Sequence, residues 1–138
     1  MFFETKNIFI DSKIVAKVFR HKKKIFKGIK FFTKNSLNFQ LGLMVHNKNH
    51  IIQPHFHINK KKIIKNMSEL LIIFKGKLRV DFYNKKKIKK KSVILNKKDM
   101  ILIISGSHGF KVLKKIEMLE IKQGPFLGYK DKVKFEKN

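Results

Sequence analysis

The sequence predicts an all-β domain, an antiparallel sandwich or barrel, and three observations carry that prediction. Short apolar or alternating runs recur along the chain, polar turn-forming stretches separate them at close spacing, and few segments keep a helical period for three turns. The first strands expected are NIFI and KIVAKVF, divided by the turn formers Asp11 and Ser12. IKFF follows the charged stretch HKKK, then FQLGLMV, and beyond HNKN comes HFHI. ELLIIF and LRVDFY are set apart by Lys75 and Gly76, and SVIL, MILII, FKVL and EMLEIKQ complete the set. In KLRVDFY, Leu78, Val80 and Phe82 alternate onto one face while Lys77, Arg79, Asp81 and Tyr83 take the other, the pattern of a half-buried strand. NKKKIKKK, residues 84–91, predicts a solvated hairpin loop, and QGPF predicts a turn that closes the barrel.

A chain of 138 residues with 43% apolar content supports one core, so residues 1–138 are expected to form a single domain. Its longest apolar runs, LLIIF and MILII, fall far short of the roughly 20 residues that span a bilayer. Glu4 and Lys6 stand where a secretory leader would be apolar, which predicts a cytoplasmic protein with no membrane span. The absence of cysteine excludes disulfides and thiolate metal sites, leaving His, Asp and Glu as strong ligands. The net charge of +25 invites a nucleic-acid reading, which predicts steep salt dependence. Against it, only Arg20 and Arg79 supply the bidentate forks favoured in phosphate and base recognition. The lysines accompany abundant Ile, Asn and Phe, as AT-rich coding produces, so most are expected to form a solvated surface.

QPHFH, residues 53–57, is the stretch most suggestive of chemistry. In an extended strand His55 and His57 point to one face and reach one object, with Pro54 fixing the entry. Glu69, opening ELLIIF, and His108, in SGSHGF, add a carboxylate and a third imidazole. Such nitrogen and oxygen donors suit iron, manganese, nickel or zinc. Gln40 is a further pocket-lining candidate, as are Glu120 and Lys122, which share a face of EMLEIKQ. His46 and His50 flank the loop NKN and are expected in solvent. INKKKIIKN, residues 58–66, is expected to be a lid or a phosphate-facing loop.

From Asn49 to about Phe110 the chain resembles the cupin superfamily. PHFH matches the His-x-His pair of the first cupin motif, and Glu69 is followed by six residues and then Gly76, as that motif requires. KKDMILIISGSHGF resembles the second motif through Asp99, Gly106 and His108. Eleven residues separate His57 from Glu69, more than the common motif has, and the second motif lacks its usual proline. The resemblance implies a jelly-roll barrel, an interior divalent transition metal held by His55, His57, His108 and Glu69, and a homodimer. The tail EMLEIKQGPFLGYKDKVKF looks like that of small bacterial cupins linked to surface-polysaccharide and nucleotide-sugar pathways. The function this implies is a small isomerase, epimerase or oxygenase acting on a sugar-derived or other polar small molecule. A non-catalytic metabolite- or sugar-binding module is the alternative.

Overall fold

The computed structural model describes residues 2–61, 63–64, 66–125 and 127–136. Its strands are β1 (Phe2–Ile10), β2 (Lys13–Lys22), β3 (Gly28–Phe31), β4 (Gly42–Val45), β5 (Glu69–Tyr83), β6 (Lys89–Asn96), β7 (Met100–Ile103) and β8 (Ser107–Lys122). A short 3-10 turn, Gly128–Asp131, follows, and the described residues contain no α-helix. One antiparallel sheet has the order β1-β2-β7-β5-β6, with β8 along the other edge of β5, while β3 and β4 form a separate ribbon. The large sheet is strongly curled into a half-barrel.

Local chemistry explains the first hairpin. Asp11 and Ser12 hold positive φ angles of 46° and 62°, the conformation of a two-residue type I′ turn, whose twist matches that of paired strands. Ile10 and Lys13 accordingly pair directly across it. At the β5–β6 connection, the Asn84 side chain accepts from the amides of Lys86 and Ile88, an Asx-type turn. The predicted lysine loop is therefore confined to the tip. Lys89, Lys90 and Lys91 belong to β6 and point their charge out along an edge strand.

The core occupies both faces of the sheet around β5 and β7. Leu71, Ile73, Leu78, Val80 and Phe82 of β5 pack in one cluster with Val18, Leu95, Ile101 and Ile103. Leu70 of β5 packs on the other side with Phe3, Phe19, Phe32, Met100 and Leu102. Burial on both faces is why the apolar runs from Leu70 to Ile73 and from Met100 to Ile103 are continuous rather than alternating. The β3–β4 ribbon leads into this second cluster through Phe32, whose ring meets Phe19 edge-on at 5.8 Å. Fully burying each such side chain contributes about 1.5–3 kcal/mol.

Two predicted boundaries dissolve. ELLIIF and LRVDFY are one continuous strand, and FKVL and EMLEIKQ are likewise one. Lys75 and Gly76 make an irregular bend within the β5–β8 ribbon instead of a turn, with register shifts between Ile73 and Leu78. The β5 residues of the first cluster consequently switch from odd positions (Leu71, Ile73) to even ones (Leu78, Val80, Phe82). Gly76 has φ of 88°, which glycine adopts readily and other residues do not. Alternation also misplaces Asp81 and Tyr83, which are buried. Asp81 accepts hydrogen bonds from Arg79 and from Ser92 Oγ at 2.6 Å, so its charge is paired.

HFHI is not a strand. Residues 51–61 carry no regular structure and are exposed, with Phe56 88% accessible. Pro54 offers no amide to a ladder, and a two-residue periodicity cannot by itself supply a neighbouring strand. Of the expected lid INKKKIIKN, Lys62 and Lys65 lie outside the described residues, and the rest is irregular. Phe126 of QGPF also lies outside them.

Asp99, which the second motif singled out, is a structural residue. Its carboxylate accepts from the Asn96 amide at 2.8 Å and from Arg20, whose other terminal nitrogen donates to the Ile94 carbonyl at 2.7 Å. Arg20 thereby ties β2 to the β6 side of the half-barrel. Asp99→Ala strands the guanidinium and an amide in a partly buried site, and urea denaturation is expected to show a loss of about 2–4 kcal/mol. A loss below about 0.5 kcal/mol, the scale of a neutral surface change, would remove this clasp from the account.

Candidate functional site

Thirteen positions separate Glu69 from Phe82 on β5, which at about 3.3 Å per residue would be roughly 40 Å in a straight strand. His108 pairs directly opposite Phe82. Yet its Nε2 lies 3.1 Å from Glu69 Oε2. The two ends of the ribbon have been brought together by the curl of the sheet. The connection is short because Glu69 pairs with Ile103 at the end of β7, and residues 104–106 lead straight to the start of β8. Ser68 secures this corner: its amide donates to Gln123 Oε1 at 3.1 Å and its hydroxyl to the Ile104 carbonyl at 3.4 Å.

The couple stands in an open cleft of about 540 Å3, bordered by Tyr83, Phe110, Glu120, Lys132 and Lys134 among others. His108 and Glu69 side chains retain 22% and 19% of their exposure. His108 Nδ1 faces the Gly106 carbonyl at 3.2 Å while Nε2 faces the carboxylate. Both partners are acceptors, and only the imidazolium can donate from both nitrogens. Burial opposes the charge on His108, but the Glu69 hydrogen bond, the Gly106 carbonyl and the charges of Glu69 and Glu120 outweigh it, raising its pKa above the ordinary 6.5. The His108 hydrogen bond chiefly lowers the Glu69 pKa below its ordinary 4.5, against the opposing effect of burial. The ion pair therefore stabilises the fold from the depressed Glu69 pKa up to the raised His108 pKa. It fades with acid as Glu69 protonates and with base as His108 loses its proton.

Glu120 and Lys122 come to the same region from the far end of β8. Glu120 borders the cleft, and Lys122 pairs opposite Glu69 while donating to Asp131 Oδ2 at 2.7 Å. Asp131 also accepts from the Leu127 amide, anchoring the segment that carries Lys132 and Lys134 along the rim. Gln40 is elsewhere: its side chain donates to the Lys34 and Leu37 carbonyls and staples its own loop. His46 and His50 stack on one another at 3.9 Å.

His55 and His57 stay near each other, with ring centroids 5.3 Å apart, but on the exposed irregular segment and not along the cleft. Among the described residues, no group of three or more His, Asp or Glu side chains is gathered to hold a metal ion. In this arrangement His108 also presents no free lone pair, since both nitrogens face oxygen acceptors. The expected four-residue donor set is thus divided between the cleft, which holds Glu69 and His108, and the exposed segment, which holds His55 and His57.

Sequence reasoning missed Tyr83, Phe110, Lys132 and Lys134 as cleft residues. Tyr83 alternates with charged residues and looks solvent-facing, and nothing local announces that 132–136 folds back beside it. Phe135 does so, its ring 5.4 Å from that of Tyr83. No family model matches the chain, and no curated protein or solved structure matches it.

Proposed function

We propose that the chain is a small cupin-type acid–base enzyme of the isomerase or epimerase kind, acting in the Glu69–His108 cleft on a polar, sugar-derived small molecule. The observation that carries this reading is a carboxylate and an imidazole held 3.1 Å apart in an open cleft. Such a pair provides a base and an acid at neutral pH. Glu69 would take a proton from the carbon next to a substrate carbonyl while His108 donates one to the carbonyl oxygen. Glu69 then returns its proton to the former carbonyl carbon while His108 takes one back from the hydroxyl on the neighbouring carbon, which becomes the new carbonyl. Glu120, Lys132 and Lys134 line the rim, where they can meet hydroxyl or anionic groups.

The test is exchange in D2O. Keto-sugars and nucleoside-diphosphate keto-sugars are incubated with the protein, and deuterium uptake next to the carbonyl is read by NMR. Uptake with wild type and its loss in Glu69→Gln supports the reading. Binding without uptake supports the alternative, a non-catalytic binding module, which is favoured by the engagement of both His108 nitrogens within the protein.

The metal-dependent form of the cupin reading needs the segment bearing His55 and His57 to join Glu69 and His108. Metal analysis of tag-free protein checks this: if that form holds, wild type carries a stoichiometric divalent transition metal and the His55→Ala/His57→Ala variant carries none. Equal metal content in the two contradicts it.

A further inference from the structure

Asn7, Lys17 and Leu102 stand in one row across β1, β2 and β7, since Asn7 pairs directly opposite Lys17 and Lys17 opposite Leu102. Direct partners on adjacent strands share a face of the sheet. The row lines a cavity of about 230 Å3, to which the stretch after β3 contributes Thr33, Lys34 and Leu37. Ile14 and Ile104 complete its apolar lining. Side chains alternate along β7, so Leu102 faces away from Ile103, the direct partner of Glu69. The cavity therefore lies on the opposite face of the sheet from Glu69.

Two chemical needs go unmet in it. Asn7 Oδ1 is buried, and among the described residues no donor reaches it. A buried acceptor without a donor is costly, so the atom calls for a partner from outside the fold. Lys17, although directly opposite Asn7, donates to the Phe32 carbonyl at 2.8 Å instead. Thr33 commits its one hydroxyl proton to Gln40 Oε1 at 3.0 Å and accepts from the Leu41 amide, so it has none for Asn7. The second need is charge: Lys17 and Lys34 both line the cavity, and no Asp or Glu lines it with them. An ammonium carries three protons, and the Phe32 carbonyl takes one of those on Lys17. A water could donate to Asn7, but it would bring no negative charge to the two lysines.

We infer that this cavity binds a small aliphatic α-hydroxy acid, with its carboxylate on Lys17 and Lys34, its hydroxyl donating to Asn7 Oδ1, and its chain against Leu37, Leu102 and Ile104. Cross-strand partners hold their Cβ atoms about 5 Å apart, so the donor that meets Asn7 and the anion that meets Lys17 must sit side by side on one ligand. The α-amino acid of the same shape would bring an ammonium to two lysines with no carboxylate to receive it. The α-keto acid has no donor and leaves Asn7 unpaired. Pockets for drug-sized ligands hold about 300–1,000 Å3, and the smaller volume here suits a ligand of this size. The inference goes beyond the proposed activity and does not depend on it.

Calorimetric titration of the full chain with four probes of one shape tests the inference: α-hydroxyisocaproate, isocaproate, α-ketoisocaproate and leucine. The hydroxy acid is expected to bind wild type at least about tenfold more tightly than the other three. Asn7→Leu should erase its preference over isocaproate, while Lys17→Met should weaken both at least about tenfold. NMR of the wild-type methyl groups locates the ligand without relying on any variant to fold. Added hydroxy acid should shift the Leu102 and Ile104 signals and leave the His108 ring unmoved. Binding of no probe at millimolar concentration, equal binding of all four, or shifts confined to the Glu69–His108 cleft would overturn the proposal. The first of these outcomes would leave water as the only partner of Asn7.

Discussion

Gly76→Ala is expected to unfold the chain or to cost more than about 3 kcal/mol, the range of substitutions that force backbone to move. A Cβ there would stand 2.0 Å from the Lys115 carbonyl oxygen and 2.8 Å from that of Lys114, neither of which can rotate away. The positive φ adds its own penalty. Gly28, with φ of 99° and nothing within 4 Å of a Cβ, is the control: alanine there meets only the backbone penalty, of about 1 kcal/mol. Urea denaturation of both variants separates the two contributions. Equal, small losses would mean that the ribbon bend does not depend on Gly76. Because that bend carries Glu69 back toward His108, a Gly76→Ala protein that does fold should also lose the ion pair.

The second large effect falls on chemistry. His108→Gln and Glu69→Gln are each expected to lower deuterium exchange by about 10²–10⁴-fold, the usual worth of a positioned acid or base. If the two act as a unit, the double variant should be little worse than either single one. Exchange that persists in both single variants would place the chemistry elsewhere. Lys134→Ala, on the rim, should act differently, raising KM for an anionic substrate while leaving kcat near wild type.

Much of the architecture was legible because it depends on local pattern. Turn formers at Asp11 and Ser12 and the apolar run from Leu70 to Ile73 each have a short-range physical signature, and each falls where the pattern puts it. Gly76 was also visible, but its role was not: a glycine after a lysine suggests a turn, while the close approach of β8 that makes it a bend is a long-range fact. The site divides in the same way. Glu69, His108 and Glu120 were singled out by residue type and position, and the curl of one ribbon brings them together. His55 and His57 looked better placed than any of them, yet same-face geometry requires a strand, and a strand requires a neighbour that spacing alone does not provide. Tyr83 and residues 132–136 carried no local signal, since only the return of the tail defines them.

The proposed site depends on Glu69 and His108 meeting across the two ends of a curled ribbon, and the titration of the His108 ring observed by NMR tests this most directly. The prediction is a midpoint above 6.5 in wild type that falls in Glu69→Gln, where only the Gly106 carbonyl and the Glu120 charge still oppose burial. A ring that titrates at the ordinary value in both proteins would show that the ends do not meet, and the proposed site would lose its foundation.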